Sequence, residues 1–271
     1  MDFSPVISEK ILNVRPMGGG DIGRSYHVTT AESEYFVKQY SDRGLPGLEA
    51  HGLSALAESG IVKLPELINF DEHYLVLRFI EQAPRCRDFQ TLLGRDLARM
   101  HKAATAKEFG FFEDNFIGSI PQKNCCMTDW SGFFIENRID FQIERAADEQ
   151  LSEGWQQLRR RVPELLAGTE EAPCLIHGDL WAGNVISGPD GGPVLIDPAV
   201  YYGHREMELG MTRLFGGFTE EFYSSYDAEF PLKPDWRERT NLYILYHVLN
   251  HFNMFGGGYR PQALSLMRTY L

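Results

Sequence analysis

No apolar run in this 271-residue chain is long enough to span a bilayer, so a membrane partner is not expected. The first ten residues, MDFSPVISEK, lack both a basic start and an apolar core, so a secretory signal is not expected either. Only four cysteines occur: Cys86, Cys125, Cys126 and Cys174. Their spacing fits neither a zinc motif nor a disulfide framework, and reduced thiols in the cytoplasm are the expectation. Basic charge is scarce as well. Against 38 Asp and Glu there are 26 Lys and Arg, a formal net charge of −12. That balance speaks against broad nucleic-acid binding, which depends on neutralising phosphates, but leaves room for a local pocket for one nucleotide. Repeats, low-complexity tracts and long flexible linkers are all missing.

What remains is ordinary globular material, 43% hydrophobic and 24% charged, enough for a sizeable core. The first eighty residues read as strands. ILNVRPM, SYHVTT and YFVKQY place β-branched and aromatic residues where strands favour them, and ELINF and HYLVLRFI flank the turn-like Asp71-Glu72. One helical pattern, LPGLEAHGLSALAESG, interrupts them and stops at Gly60. Beyond Glu81 the periodicity is helical, in FQTLLGRDLARMHKA, in DWSGFFIENRIDFQIERA and in WQQLRRRVPELL, which Pro163 should shorten or bend. DWRERTNLYILYHVLNHFNMF closes the chain in the same texture. The expected class is α+β, with a small antiparallel sheet lobe over residues 1–80, a larger mainly helical lobe over 81–271, and a cleft between them.

The segment from Leu175 to Glu206, LIHGDLWAGNVISGPDGGPVLIDPAVYYGHRE, sets polar residues among aliphatic runs. GPDGG is a strong turn signal, and folding NVIS back on PVLID brings Asn184 and Asp197 to one open end of a hairpin. Asp179 lies five residues before Asn184, in the loop that leads into it. An amide oxygen and a carboxylate suit Mg²⁺, which takes hard oxygen ligands and keeps room for phosphate. A further carboxylate there is placed to accept a proton from a hydroxyl that attacks phosphorus. Taken singly, each residue is more readily explained as a loop brace; the constellation carries the signal.

The first lobe supplies matching parts. GGGDIGRSY, with Gly18, Gly19 and Gly20, lies between two strands, where backbone N–H groups can cover phosphates. It lacks the Gly-Lys-Ser/Thr ending of a Walker motif. Lys38 follows in the third strand, as the phosphate-contacting lysine of kinase-like enzymes does, and Glu49 on the next helix is placed to pair with it. Other signals are weaker. His247 and His251 share a helix face, but among bulky apolar neighbours they read as core or pocket residues rather than a zinc pair, and Arg159, Arg160 and Arg161 read as a solvated face.

HGDLWAGN, DPAVYYGHREMELG, LNHFNMFGGGY, FGFFEDNFIGSIPQ and DWSGFFIENR together resemble the signatures of the fructosamine kinases, or ketosamine kinases, from about Gly18 to Tyr259. The resemblance implies a bilobal protein-kinase-like fold, related to aminoglycoside phosphotransferases. It further implies ATP and Mg²⁺ as cofactors, Asp179 as catalytic base, Asn184 and Asp197 at the metal, and a Lys38–Glu49 ion pair. Arg78, Phe79 and Ile80 would meet the adenine between the lobes, and Trp181, His204, Arg205 and Glu206 would line the acceptor side. The implied reaction phosphorylates the C3 hydroxyl of a ketosamine, free or on a glycated protein. The cysteine that some relatives carry in the glycine loop has no counterpart here, so loop-disulfide regulation is not expected. Two alternatives stay open: a phosphotransferase of the same fold acting on an aminoglycoside, choline-like or sugar hydroxyl, and a nucleotide-binding pseudokinase. The preferred sugar and the oligomeric state are not legible.

Overall fold

Alternation of apolar and polar residues sorts the first strands onto two faces. In the computed structural model, which describes residues 3–18 and 23–271, β1 (Ile11–Met17), β2 (Gly23–Thr30), β3 (Glu34–Tyr40), β4 (Leu67–Phe70) and β5 (Tyr74–Arg78) form one antiparallel sheet in the order β1-β2-β3-β5-β4. Tyr35 and Val37 of β3 point to one face, where they pack with Phe3, Val6 and Val76. Phe36, Lys38 and Tyr40 alternate to the other, against helix α1 (Leu45–Glu58). Pro46 opens α1, and Gly60, with φ +63°, turns the chain away after it. Gly52 on α1 faces Val200 of the second lobe so closely that an added Cβ would stand 3.2 Å from it. The helix is therefore wedged between sheet and helical lobe, and its residue Glu49 borders the cleft.

The second lobe is built on α2 (Phe89–Ala103), which packs against α8 (Glu220–Glu229), and on the long α9 (Trp236–Phe255), flanked by α7 (Arg205–Leu214) and α10 (Tyr259–Arg268). At Gly94 an added Cβ would lie 2.2 Å from the Phe222 carbonyl, so α2 and α8 meet backbone to backbone. The aromatic stretch after Asp129 is helical, but not uniformly: α3 (Trp130–Phe133) passes into a π-helical turn over Phe134–Asp140 and then α4 (Phe141–Ala146). The next expected helix is divided into α5 (Glu149–Arg159) and α6 (Val162–Leu165), with Pro163 in the first turn of α6, where its missing N–H costs nothing. Val185–Ser187 and Pro193–Leu195, here β9 and β10, form the hairpin expected around GPDGG.

Two further pairings had no periodic signal because each strand has three residues: β6 (Asn115–Ile117) with β7 (Ile120–Gln122), and β8 (Cys174–Ile176) with β11 (Tyr201–Gly203). The first borders the cleft through Asn115 and Phe116, and β8 leads into the loop that carries Asp179. Among the described residues no helix is long and apolar enough to cross a membrane.

Candidate active site

The loop after β8 is shaped by backbone demands that only certain residues meet. Gly178 has φ +83°, and a Cβ there would stand 2.0 Å from the Ala199 carbonyl, so this position must be glycine. The buried Glu208 carboxylate on α7 accepts the backbone N–H groups of His177 (2.5 Å) and Gly178 (3.1 Å). The His177 ring accepts the Asp179 N–H at Nδ1 (3.3 Å) and donates from Nε2 to the Ile196 carbonyl (2.9 Å). Those two bonds define a neutral tautomer. Burial pulls His177 below the ordinary histidine range and outweighs the opposing pull of Glu208. His177 thus acts as a neutral strut between the loop of Asp179 and the strand end that carries Asp197.

Asn184 completes the join. Its amide donates to the Asp179 carbonyl (2.9 Å), to Asp179 Oδ2 (3.2 Å) and to the Asp197 carbonyl (3.5 Å). Asp197 itself adopts φ +56°, a left-handed conformation that costs an L-residue about 1 kcal/mol or more and that aspartate tolerates better than most. That bend turns its carboxylate to Lys38: Nζ donates to Asp197 Oδ1 at 2.6 Å and to Glu49 Oε1 at 2.7 Å. Glu49 is also held by the Tyr40 hydroxyl, which donates to its other oxygen. Burial alone would pull the Lys38 ammonium down, but Glu49 and Asp197 overcome it and hold Lys38 well above the usual lysine range. Burial, with the Glu49 carboxylate alongside, keeps the Tyr40 phenol protonated.

These groups open onto a cleft of about 590 Å³. Its lining divides by chemistry into Lys38, Glu49, Asp179, Asn184 and Asp197 on one hand and Phe36, Leu77, Ile186 and Ile196 on the other. Gly18 also lines it; Gly19 and Gly20 lie outside the described residues. Arg78, Phe79 and Ile80 are part of the wall. Two N–H groups there are already engaged, Arg78 with the Glu66 carbonyl (2.8 Å) and Phe79 with that of Glu34 (3.0 Å). Another, more open hollow of about 710 Å³ lies behind α1, where Lys63 and Asp190 pair with each other at 2.5 Å; it holds none of the converging groups.

Trp181 lines the cleft beside Asp179, and its ring lies over Gly183, where an added Cβ would meet it at 2.2 Å. His204, Arg205 and Glu206 are not brought to the cleft. The buried His204 ring caps α7 by accepting the Glu206 N–H (3.2 Å) and donates to the Thr169 carbonyl (2.9 Å). Arg205 pairs with both oxygens of Glu171 and donates to the Phe230 and Pro231 carbonyls. Glu206 is held by the Arg239 guanidinium at 2.6 and 2.8 Å. Sequence reasoning assigned no site role to Asn115, Phe116 and Gly118 of the β6–β7 hairpin, yet all three line the cleft. The only pointer was that NFIGSIPQ belongs to a family-like stretch.

A small antiparallel lobe with a strand lysine paired to a helix glutamate, above a helical lobe with an Asp-x4-Asn loop and a following Asp, defines the protein-kinase-like phosphotransferase fold. The chain belongs to the fructosamine kinase family, whose profile matches residues 5–271. It is 41% identical over 275 residues to a protein-ribulosamine 3-kinase, chloroplastic, of Oryza sativa subsp. indica, covering 97% of this chain and 80% of that protein. The protein-ribulosamine 3-kinase of Arabidopsis thaliana is 38% identical, with coverage of 97% and 83%. The crystal structure of a candidate fructosamine-3-kinase from Thermobifida fusca superimposes with a TM-score of 0.91 at 32% identity, over 98% of this chain and 96% of that one. Aminoglycoside phosphotransferase APH(4)-Ia shares the fold alone, with a TM-score of 0.66 at 15% identity over 97% and 95% of the two chains.

Proposed function

We propose that the chain is an ATP-dependent ketosamine 3-kinase. The observation that carries this reading is the convergence of Lys38, Asp179, Asn184 and Asp197 on one cleft, in a chain of this family. Asp179 acts as general base: it takes the proton of the acceptor's C3 hydroxyl as that oxygen bonds to the γ-phosphorus and the bond to the ADP oxygen breaks. Lys38, fixed by Glu49 and through it by Tyr40, offsets charge on the phosphates. Asn184 and Asp197 suit Mg²⁺. Among the described residues no three His, Cys, Asp or Glu side chains form a protein-only metal cage. One amide oxygen and one carboxylate, completed by phosphate oxygens, fit the usual habit of this ion, which supplies charge neutralisation when bound. Apolar lining at Phe36, Leu77, Ile186 and Ile196 suits an adenine ring, next to the backbone of Arg78, Phe79 and Ile80.

The acceptor is a ketosamine, free or on a glycated protein, and its phosphorylation at C3 leads to loss of the sugar and recovery of the amine. Asn115, Phe116, Gly118 and Trp181 bring no carboxylate to the acceptor side beyond those used for chemistry, which disfavours a polycationic aminoglycoside. Four free cysteines agree with a reducing compartment such as the cytosol. The test is ATP-dependent ADP formation with ribulose-lysine, fructose-lysine and an aminoglycoside. Turnover on a ketosamine supports the assignment. Activity confined to the aminoglycoside would overturn the acceptor, and nucleotide binding without any turnover would favour a pseudokinase.

A further inference from the structure

Cys125 and Cys126 are adjacent in the segment between β7 and α3, and both are exposed. They stand where a strand pairing is broken. Phe109 and Met127 exchange both backbone bonds, at 2.8 and 3.0 Å, and the next bond runs from the Phe111 N–H to the Asn124 carbonyl (3.0 Å). Gly110 alone fills the interval on one side, whereas both cysteines fill it on the other, so the pair is a β-bulge. Gly110 has φ +117°, and a Cβ there would stand 2.6 Å from the Asn124 carbonyl oxygen and 3.1 Å from Cys126 Cα, so the bulge requires glycine opposite it. A regular strand sends neighbouring side chains to opposite faces; a bulge breaks that alternation.

Hydrogen bonds join the bulge to the cleft. Asn124, immediately before it, donates to Asn115 Oδ1 (3.0 Å) and accepts from Arg138 (2.8 Å), and Asn115 lines the cleft. The Cys125 carbonyl accepts the Asn137 amide (3.4 Å), and the Lys123 carbonyl accepts from Arg138. A change in the Cys125–Cys126 peptide therefore reaches Asn124 and, through it, Asn115.

We propose that Cys125 and Cys126 form a dithiol site that a low-molecular-weight disulfide, such as glutathione disulfide, oxidises to an intramolecular ring, and that the ring weakens acceptor binding. The Cys125 sulfur attacks one sulfur of the small disulfide, whose S–S bond breaks and releases one thiolate. Cys126 then loses its proton to solvent and attacks Cys125 Sγ, expelling the second thiolate. Two cysteine thiols are oxidised, and one small disulfide is reduced to two thiols. Burial, with Glu108 and then Cys125 alongside, holds the Cys126 thiol above its ordinary range, which leaves the first attack to Cys125. Cys174 is buried and its thiol is pushed further up, and Cys86 is half-buried, so neither competes well. The ring would contain the Cys125 carbonyl carbon, so closing it turns that carbonyl away from Asn137.

The experiment incubates the full chain with glutathione disulfide and maps the thiols by mass spectrometry. Kinetics with a ribulosylated amine are measured before and after, for the wild type, Cys125→Ser and Cys126→Ser. In the wild type the segment with both cysteines is expected to lose two hydrogens and to carry no glutathione, and dithiothreitol should reverse this. The KM for the acceptor should rise about 3- to 10-fold, as loss of a neutral hydrogen bond would give, with the KM for ATP unchanged. Cys126→Ser should stop at a glutathione adduct on Cys125, and neither variant should close a ring. Thiols that stay reduced, a wild type that stops at the adduct, a disulfide between two chains, or a ring without effect on the acceptor KM would each overturn the proposal. The kinetic half rests on the kinase reading: reduced enzyme that turns over no ketosamine would overturn that reading, while the mass map would still decide whether the ring forms.

Discussion

The two walls of the cleft hold their residues by different means. On the wall proposed to hold the nucleotide the contacts centre on charge: Lys38 bridges Glu49 and Asp197, and the Tyr40 hydroxyl steadies Glu49. On the wall formed by the β6–β7 hairpin, where the acceptor is proposed to bind, they run mainly through side-chain amides and are directional. Gln122 donates to Asn115 Oδ1 (2.9 Å) and to the Ala199 carbonyl (3.0 Å), while Asn115 donates to the Val200 carbonyl (2.8 Å). Asn124 also donates to Asn115 Oδ1 (3.0 Å) and accepts from the fully buried Arg138 (2.8 Å). The Arg138 guanidinium lies over the rings of Tyr201 and Phe133, 3.8 and 4.6 Å from their centroids. Ionic contacts suit groups that exchange partners when phosphates and a cation arrive, because Asp197 cannot give its carboxylate fully to both. Saturated amide bonds suit a wall whose shape must persist from one turnover to the next.

The largest effect that would sharpen this contrast is expected from Asp179→Asn. Removing the proton acceptor at nearly constant shape should lower kcat by about 10²- to 10⁴-fold, with nucleotide affinity by calorimetry nearly unchanged. A comparable loss of affinity would assign Asp179 to the nucleotide wall instead. Lys38→Ala should follow, with kcat reduced about 10²-fold and the KM for ATP raised, because two carboxylates lose their cation. An effect confined to the acceptor KM would break the division between walls.

Arg138→Gln should act through the other wall. It deprives the Lys123 and Asn137 carbonyls and Asn124 of a charged donor, and unfolding in urea should show a loss of about 2–4 kcal/mol. The KM for the acceptor should rise while that for ATP holds. Tyr40→Phe should be milder, removing one hydrogen bond to Glu49 at about 1.5 kcal/mol and raising the KM for ATP several-fold.

The last effect is absent at neutral pH and grows only in acid. Burial holds His101 and His177 below the histidine range and pushes His247 down to about 3. Groups whose folded pKa is lowered leave stability intact above the unfolded value of about 6.5 and remove it as pH falls toward the folded value. For His247 the window runs from about 6.5 to about 3, with a slope of at most about 1.4 kcal/mol per pH unit. His247→Leu should flatten stability against pH there; an unchanged slope would show that the ring is already protonated in the folded chain.

The charged groups of the cleft were largely legible in the sequence, since Lys38, Glu49, Asp179, Asn184 and Asp197 each stand in a periodic element or a tight turn whose geometry can be read locally. The sheet and its single helix followed from alternation in the same way. The acceptor wall was not legible. β6 and β7 have three residues each, too few for a period, and Asn115 and Gln122 become meaningful only beside Ala199 and Val200, about 80 residues on. His204, Arg205 and Glu206 show the converse. The family resemblance placed them on the acceptor side, but Glu171 and Arg239 claim the charges of Arg205 and Glu206 for the interior. The π-helical turn at Phe134–Asp140 is invisible to a pattern that counts only apolar residues, and it is this turn that carries Arg138 into the core.

The most direct test of the proposed chemistry is the position of the new phosphate after incubation of the enzyme with ATP, Mg²⁺ and ribulose-lysine, read by phosphorus NMR and mass spectrometry. Phosphate on C3, followed by release of unmodified lysine, is the expected result. Phosphate on any other hydroxyl, with the sugar still attached to the amine, would contradict the seating of a ketosamine C3 hydroxyl against Asp179.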